Sequence, residues 1–102
     1  MKNQYKHITE MENIMVRQEN TLRELEKVLD KLDKQQEDYA ALFAYYYSDQ
    51  RQKDLEDEEN HRLPEDLRRG VLSEDEVYNL IIDVRDAGLH MMETALNMLK
   101  VN

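Results

Sequence analysis

Hydrophobic residues recur along the first half of the chain with alternating steps of three and four. The series is Ile8, Met11, Met15, Gln18, Leu22, Leu25, Leu29, Leu32, Gln36, Tyr39, Phe43 and Tyr46. This is the heptad period of a helix that presents one seam to a partner. No glycine or proline interrupts it. The pattern predicts a helix over about residues 4–47, roughly 65 Å long at 1.5 Å per residue.

A second periodic segment occupies the end of the chain. Its seam consists of Val77, Ile81, Val84, Gly88, Met91, Ala95 and Met98. The spacing predicts a second helix over about residues 74–100. Gly88 lies inside it and costs about 1 kcal/mol relative to alanine. The sequence leaves open whether Gly88 is a close-packing point or a weak spot.

The start of the second helix carries two local signals. Ser73 and Glu76 have the spacing of a capping box, in which each side chain accepts a hydrogen bond from the other residue's backbone N–H. Leu72 and Val77 have the spacing of the matching hydrophobic staple. The helix is therefore expected to begin just after Ser73.

Residues 48–72 form a polar connector between the two helices. Pro64 suits the first position of a short helical turn, and Gly70 suits the left-handed exit from it. These signals predict a corner where the chain turns back, rather than a ligand site. Together the elements predict an all-α fold: a long antiparallel helical hairpin, coiled-coil-like, with a short helical turn in the connector. With 102 residues, we expect one domain over residues 1–102.

The two predicted helices differ in length. The second would be about 40 Å long, so it cannot cover all of the first when folded back on it. This leaves an apolar stripe at the N-terminal third of the first helix, formed by Ile8, Met11, Ile14, Met15 and Val16. An exposed apolar stripe of this size usually has a partner. We therefore expect a homodimer through this stripe.

Five aromatic residues cluster near the end of the first helix: Tyr39, Phe43, Tyr45, Tyr46 and Tyr47. Successive helical residues point about 100° apart, so Tyr45 and Tyr47 lie to either side of the seam residue Tyr46. Either the connector covers these two tyrosines, or they are anchors for a protein partner.

The net charge of −9 is concentrated in the middle of the chain. Residues 49–76 hold 11 acidic and 5 basic residues, a net charge of −6. Direct binding to nucleic acid is not expected, because a phosphate backbone requires a positive surface. A basic protein partner is allowed. The chain has no cysteine and no long apolar run, which favours a cytoplasmic location without membrane contact.

Signals for catalysis and metal binding are weak. Glu58 and His61 have the Glu-x-x-His spacing of di-iron helical bundles, but such sites need a second copy of this motif and two further carboxylates. The sequence has no second Glu-x-x-His, no nucleophile triad and no phosphate-binding glycine loop. We expect no enzymatic activity, no metal site and no cofactor.

Two stretches carry a family resemblance. "YYYSDQRQKDLEDEE" and "LPEDLRRGVLSEDEVYNLI" resemble the small bacterial helical family numbered 4298 among domains of unknown function. The likeness covers about residues 10–85. It implies a small, mostly helical bacterial protein and supplies no activity or catalytic residue.

These observations favour a non-enzymatic helical interaction protein that self-associates and docks another bacterial protein. The contact residues we expect are Ile8, Met11, Ile14, Met15, Tyr45 and Tyr47. The alternative is an inhibitor whose acidic connector imitates nucleic acid and occupies the positive groove of a nucleic-acid-binding protein. The two hypotheses differ in salt response, because only the acidic contact should weaken steeply as salt rises.

Overall fold

The computed structural model describes residues 2–102, and every regular element in that part of the chain is helical. Three α-helices follow one another: α1 over Lys6–Tyr46, α2 over Asp49–Glu59 and α3 over Glu76–Val101. Short 3₁₀ turns cover Lys2–Tyr5 and Gly70–Leu72. This confirms the predicted all-α fold, with a long first helix, short helical elements in the connector and a second long helix.

The chain forms two compact units, one up to Tyr39 and the other from Ala40 onward. Most of α1 lies in the first unit. The second unit contains the last residues of α1 together with α2, the corner and α3. Within residues 2–102, no helix is long and apolar enough to cross a membrane.

Helix α1 has 41 residues and lacks any helix-breaking residue. Its seam supplies apolar residues at steps of three and four, while charged and amide side chains cover the other faces. None of its residues is buried across Lys6–Tyr46. The helix ends where Tyr47 and Ser48 form a turn, with the Ser48 N–H donating to the Tyr45 carbonyl over 3.0 Å.

Helix α2 occupies the first half of the segment that the sequence suggested as a polar connector. Ser48 is its N-cap, and the Ser48 hydroxyl accepts from the Arg51 N–H over 3.2 Å. At the other end, the backbone N–H groups of Asn60, His61 and Arg62 donate to carbonyls in the last turns. His61 adopts a positive φ of 57° there.

The corner between α2 and α3 is built from short local bonds. A turn closes where the Leu67 N–H donates to the Pro64 carbonyl over 3.2 Å. The prediction of a left-handed Gly70 is wrong, because no glycine has a positive φ in the described chain. Gly70 instead opens a 3₁₀ turn, where an added Cβ would meet the flexible Glu76 carboxylate.

The predicted staple residues form the centre of the second unit. Leu72 and Val77 are the buried hydrophobic residues of the described chain, with 8% and 4% of their surface exposed. The Ser73 hydroxyl accepts from the Glu76 N–H over 3.0 Å, which is one half of the predicted capping box. Helix α3 nevertheless begins at Glu76, two residues later than the capping box predicted, and its N-cap is Asp75 rather than Ser73.

Candidate interaction surfaces

An apolar surface runs along the start of α1. We call it the α1 stripe: Ile8, Met11, Ile14, Met15 and Val16, each between 43% and 57% exposed. At 100° per residue, the first four lie within an arc of about 120° on one side of the helix. These four residues are the predicted contact residues of the first unit, and the structure places them together on one exposed face.

Tyr45 is held inside the second unit. Its hydroxyl donates to Asp54 Oδ2 over 2.7 Å, and the Gln50 side-chain amide donates to Asp54 Oδ1 over 2.9 Å. Burial, followed by the hydrogen bond to Asp54, raises the pKa of Tyr45 to about 12. The hydrogen bonds from Tyr45 and Gln50 lower the pKa of Asp54. The polar tip of Tyr45 therefore already has a partner in its own chain.

Tyr47 differs from Tyr45 because it is 66% exposed. Its ring lies against Phe43, with 5.2 Å between ring centroids, and meets Tyr46 edge-on at 4.9 Å. These contacts fix the ring on the helix end and leave most of its surface open to solvent. Of the two predicted tyrosine anchors, Tyr47 is the one that offers a free apolar surface.

Arg51 is a key residue that the sequence pattern did not reveal. Its side chain spans from α2 to the corner, donating from Nε to the Val71 carbonyl and from Nη2 to the Ser73 carbonyl, each over 3.2 Å. Its guanidinium carbon also lies 4.5 Å from the centroid of the Tyr46 ring, a cation–π geometry. Only 8% of the residue is exposed. The one available signal was the Ser48 cap, which places Arg51 in the first turn of a helix.

A shallow groove opens at the corner that the Arg51 side chain contacts. It has a volume of about 470 Å³ and is mainly apolar, with two charged side chains; its lining residues are Leu42, Arg68, Gly70, Val71, Glu76, Val77 and Leu80. The opposed charges of Arg68 and Glu76 give it no single electrostatic preference. The groove therefore offers apolar contact area and does not indicate a ligand of particular charge.

The Glu-x-x-His pair of the sequence lies at the end of α2. Glu58 is in the last turn of α2 and His61 follows it, and no group of three or more His, Asp or Glu side chains is arranged to hold a metal ion within residues 2–102. Arg62 pairs with Asp57 over 3.5 Å at the surface.

Comparison with known proteins places the chain in a family. A family model described as Domain of unknown function (DUF4298) matches residues 8–96. No curated protein and no solved structure matches the chain. The match covers most of the 102 residues, confirms the resemblance drawn from the tyrosine cluster and the corner, and shows that the chain belongs to the DUF4298 family.

Proposed function

We propose that this member of the DUF4298 family is a non-enzymatic helical interaction protein that pairs with a second copy of itself through the α1 stripe. The observation that carries the proposal is the exposure of about half of each apolar side chain from Ile8 to Met15. Burying such side chains against another apolar surface contributes about 25 cal/mol for each Å² removed from water. The proposal places the protein in the cytoplasm, in keeping with its lack of cysteine.

The experiment that tests this proposal is sedimentation equilibrium over a concentration series. Met11→Glu places a carboxylate in the α1 stripe, and burying it unpaired in an interface is costly. We expect the dissociation constant for self-association to rise more than tenfold, which corresponds to about 1.4 kcal/mol or more. Asn13→Glu is the matched control, because Asn13 lies on the opposite side of the same helical turns.

Two results would contradict the proposal. One is a wild-type protein that sediments as a monomer at high micromolar concentration. The other is an equal loss of association in Met11→Glu and Asn13→Glu, since that would reflect added negative charge rather than the stripe. Circular dichroism on each variant establishes that the helices are retained.

The interaction function includes a surface for another protein around Tyr47. Tyrosine is enriched in protein interfaces because its ring supplies contact area at a small entropic cost. The 66% exposure of Tyr47, beside the rings of Phe43 and Tyr46, supports this assignment. Tyr45 supports it less, because its hydroxyl is bonded to Asp54.

The second candidate function is that of an acidic inhibitor that imitates nucleic acid. One observation favours it: the Arg51 guanidinium turns inward to the Val71 and Ser73 carbonyls, so α2 presents its carboxylates with less positive charge between them. Neutralising Glu56 and Glu59 to glutamine should then abolish capture of a basic host protein at low salt. Met11→Glu should leave that capture intact. Capture that survives the change to glutamine but is lost in Met11→Glu would contradict this second candidate.

A further inference from the structure

Helix α3 carries a second apolar seam besides the one that begins at the buried Val77. It again follows steps of three and four, and we call it the outer seam: Ile82, Arg85, Leu89, Met92, Leu96 and Leu99. At 100° per residue its centre lies about 100° around the helix from the centre of the first seam. Apart from Arg85 within the outer seam, the charged residues of this part of α3 lie on the narrow remaining side, which contains Asp83, Asp86, His90, Glu93, Asn97 and Lys100. A helix that is apolar on two sides normally packs against more than one partner.

The outer seam is the more exposed of the two. Leu89 and Leu96 have 54% and 55% of their surface exposed, and Met92 and Leu99 each have 71%. On the first seam, Val84, Met91 and Met98 are exposed by 38% to 43%. The strongest uncovered apolar surface of α3 is therefore the outer seam between Leu89 and Leu99.

We infer that the outer seam pairs antiparallel with the outer seam of a second copy of this chain. A parallel pair would bring Arg85 against the partner's Arg85 inside the seam, where like charges repel. An antiparallel pair centred on Thr94 places Leu89 level with the partner's Leu99, and Met92 level with the partner's Leu96. Every layer between these residues is then apolar, and Arg85 lies outside them.

Charge at the edge of the seam also fits the antiparallel pair. Asp86, Glu93 and Lys100 follow one another at intervals of seven along this edge. The antiparallel arrangement brings Asp86 beside the partner's Lys100, and two-fold symmetry repeats this pair at the other end. Glu93 faces the partner's Glu93 near the axis, so two attractive contacts stand against one repulsive contact. A chain that complements itself in this way favours its own copy as occupant.

This inference goes beyond the proposed function, because it concerns a different helix and holds even if the α1 stripe binds another protein. Its test uses the absence of cysteine from the chain, which makes every engineered thiol the only one. Two separate variants are made, Leu89→Cys and Leu99→Cys, and one carries a mass tag. The variants are oxidised alone and as a mixture, and the products are separated without reductant.

The antiparallel pair predicts a crosslink only in the mixture. Two identical thiols at position 89, or at position 99, would lie about ten residues apart along the axis, or roughly 15 Å. A disulfide requires Cα atoms within about 7 Å. Crosslinking of either variant with itself would overturn the antiparallel pair. Absence of a crosslink in the mixture, with helicity retained by circular dichroism, would overturn pairing through this seam.

A second pair of variants separates this inference from the proposed function. Met92→Glu introduced into both cysteine variants should reduce the mixed crosslink at least tenfold, whereas Asn97→Glu on the polar side should leave it unchanged. Met11→Glu should also leave the crosslink detectable at high protein concentration. If Met11→Glu weakens self-association while the mixture never crosslinks, the outer seam is refuted and the α1 stripe stands.

Discussion

At the residue scale, Arg51 shows how a charged side chain can replace a hydrophobic core. Its guanidinium donates to the Val71 and Ser73 carbonyls and lies over the Tyr46 ring, so it joins α1, α2 and the corner within the second unit. Hydrogen bonds that involve a charged group contribute about 1.5–3 kcal/mol, more than a neutral pair. Because Leu72 and Val77 are the buried apolar residues of the described chain, we expect such bonds to contribute much of the local stability.

We therefore predict that Arg51→Met lowers the free energy of unfolding by about 2–3 kcal/mol, because two carbonyls lose their donors. Arg51→Lys keeps the charge but not the forked geometry, and should cost about 1–2 kcal/mol. Urea denaturation followed by circular dichroism measures both. Arg62→Met is the control: Arg62 is exposed at its pair with Asp57, and its loss should stay within about 0.5 kcal/mol. An equal loss in the free energy of unfolding for Arg51→Met and Arg62→Met would contradict the role assigned to Arg51.

The bond between Tyr45 and Asp54 makes a separate prediction about titration. The pKa of Tyr45 is raised from 10.0 to about 12 by burial and then by Asp54. In Tyr45→Phe, an absorbance titration that follows phenolate formation should no longer show the ionisation near pH 12. Asp54→Asn should move the pKa of Tyr45 part of the way back toward 10.0, since burial remains. An unchanged alkaline limb in Tyr45→Phe would contradict this assignment.

The same bond has a consequence for stability against pH. Folding holds the proton on Tyr45, so its contribution is present below pH 10.0 and is lost as pH rises toward about 12. Folding favours the ionised form of Asp54, whose pKa is lowered mainly by the Tyr45 hydrogen bond. That contribution is present above the pKa of an ordinary aspartate, about 4, and is lost as pH falls below it. Tyr45→Phe should flatten both limbs of the stability profile.

At the element scale, Gly88 tests whether α3 is held by close packing at its middle. The helix continues through Gly88 without interruption, and an added Cβ would meet nothing within 4 Å. Gly88→Ala should therefore stabilise the fold by about 1 kcal/mol, because alanine is the better helix former. The melting temperature should rise by about 4–8 °C. Ala87→Gly, one residue away, should produce a loss of about 1 kcal/mol. Destabilisation by Gly88→Ala would mean that another backbone approaches Gly88 in solution.

The long helices could be predicted from the sequence because their periodicity is strong. The heptad series places α1 and α3 within two residues of their ends, and the staple of Leu72 and Val77 locates the corner. Helix α2 gave no such signal, since Leu55 is the one sizeable apolar residue between Asp49 and Glu59. Its stability comes from the Ser48 cap and from Arg51, whose partners lie twenty and twenty-two residues away.

The Gly70 error has a local cause. Glycine is the residue that most often ends a helix with a positive φ, so the sequence pattern favoured Gly70 for that role. Residues 64–69 form an isolated turn, so no helix directly precedes Gly70 and none has to end there; the positive φ of the connector lies at His61, where α2 ends. Pattern rules identify which residue types tolerate a conformation, whereas the hydrogen bonds of the helix end decide where it is needed.

At the scale of the whole molecule, the two proposed self-contacts constrain one another. The α1 stripe and the outer seam of α3 each pair with the same surface on another copy, and such a contact has a two-fold axis. If both contacts share one axis, the assembly closes as a dimer. If the axes differ, each copy joins two neighbours and the assembly grows without limit. Closed two-fold dimers are the commonest soluble assemblies, and a net charge of −9 per chain opposes further growth.

We therefore predict a closed dimer of twice 12.3 kDa in sedimentation equilibrium. Met11→Glu and Met92→Glu should each weaken it without changing the mass of the assembled species, because either surface still holds the same pair of chains together. The double variant should sediment as a monomer of 12.3 kDa across the concentration range. In a closed dimer each contact raises the effective concentration for the other. The wild-type dimer should therefore bind more tightly than either single variant, which keeps only one contact. Species heavier than a dimer, whose mass increases with concentration and falls to a dimer in either single variant, would show that the two axes differ.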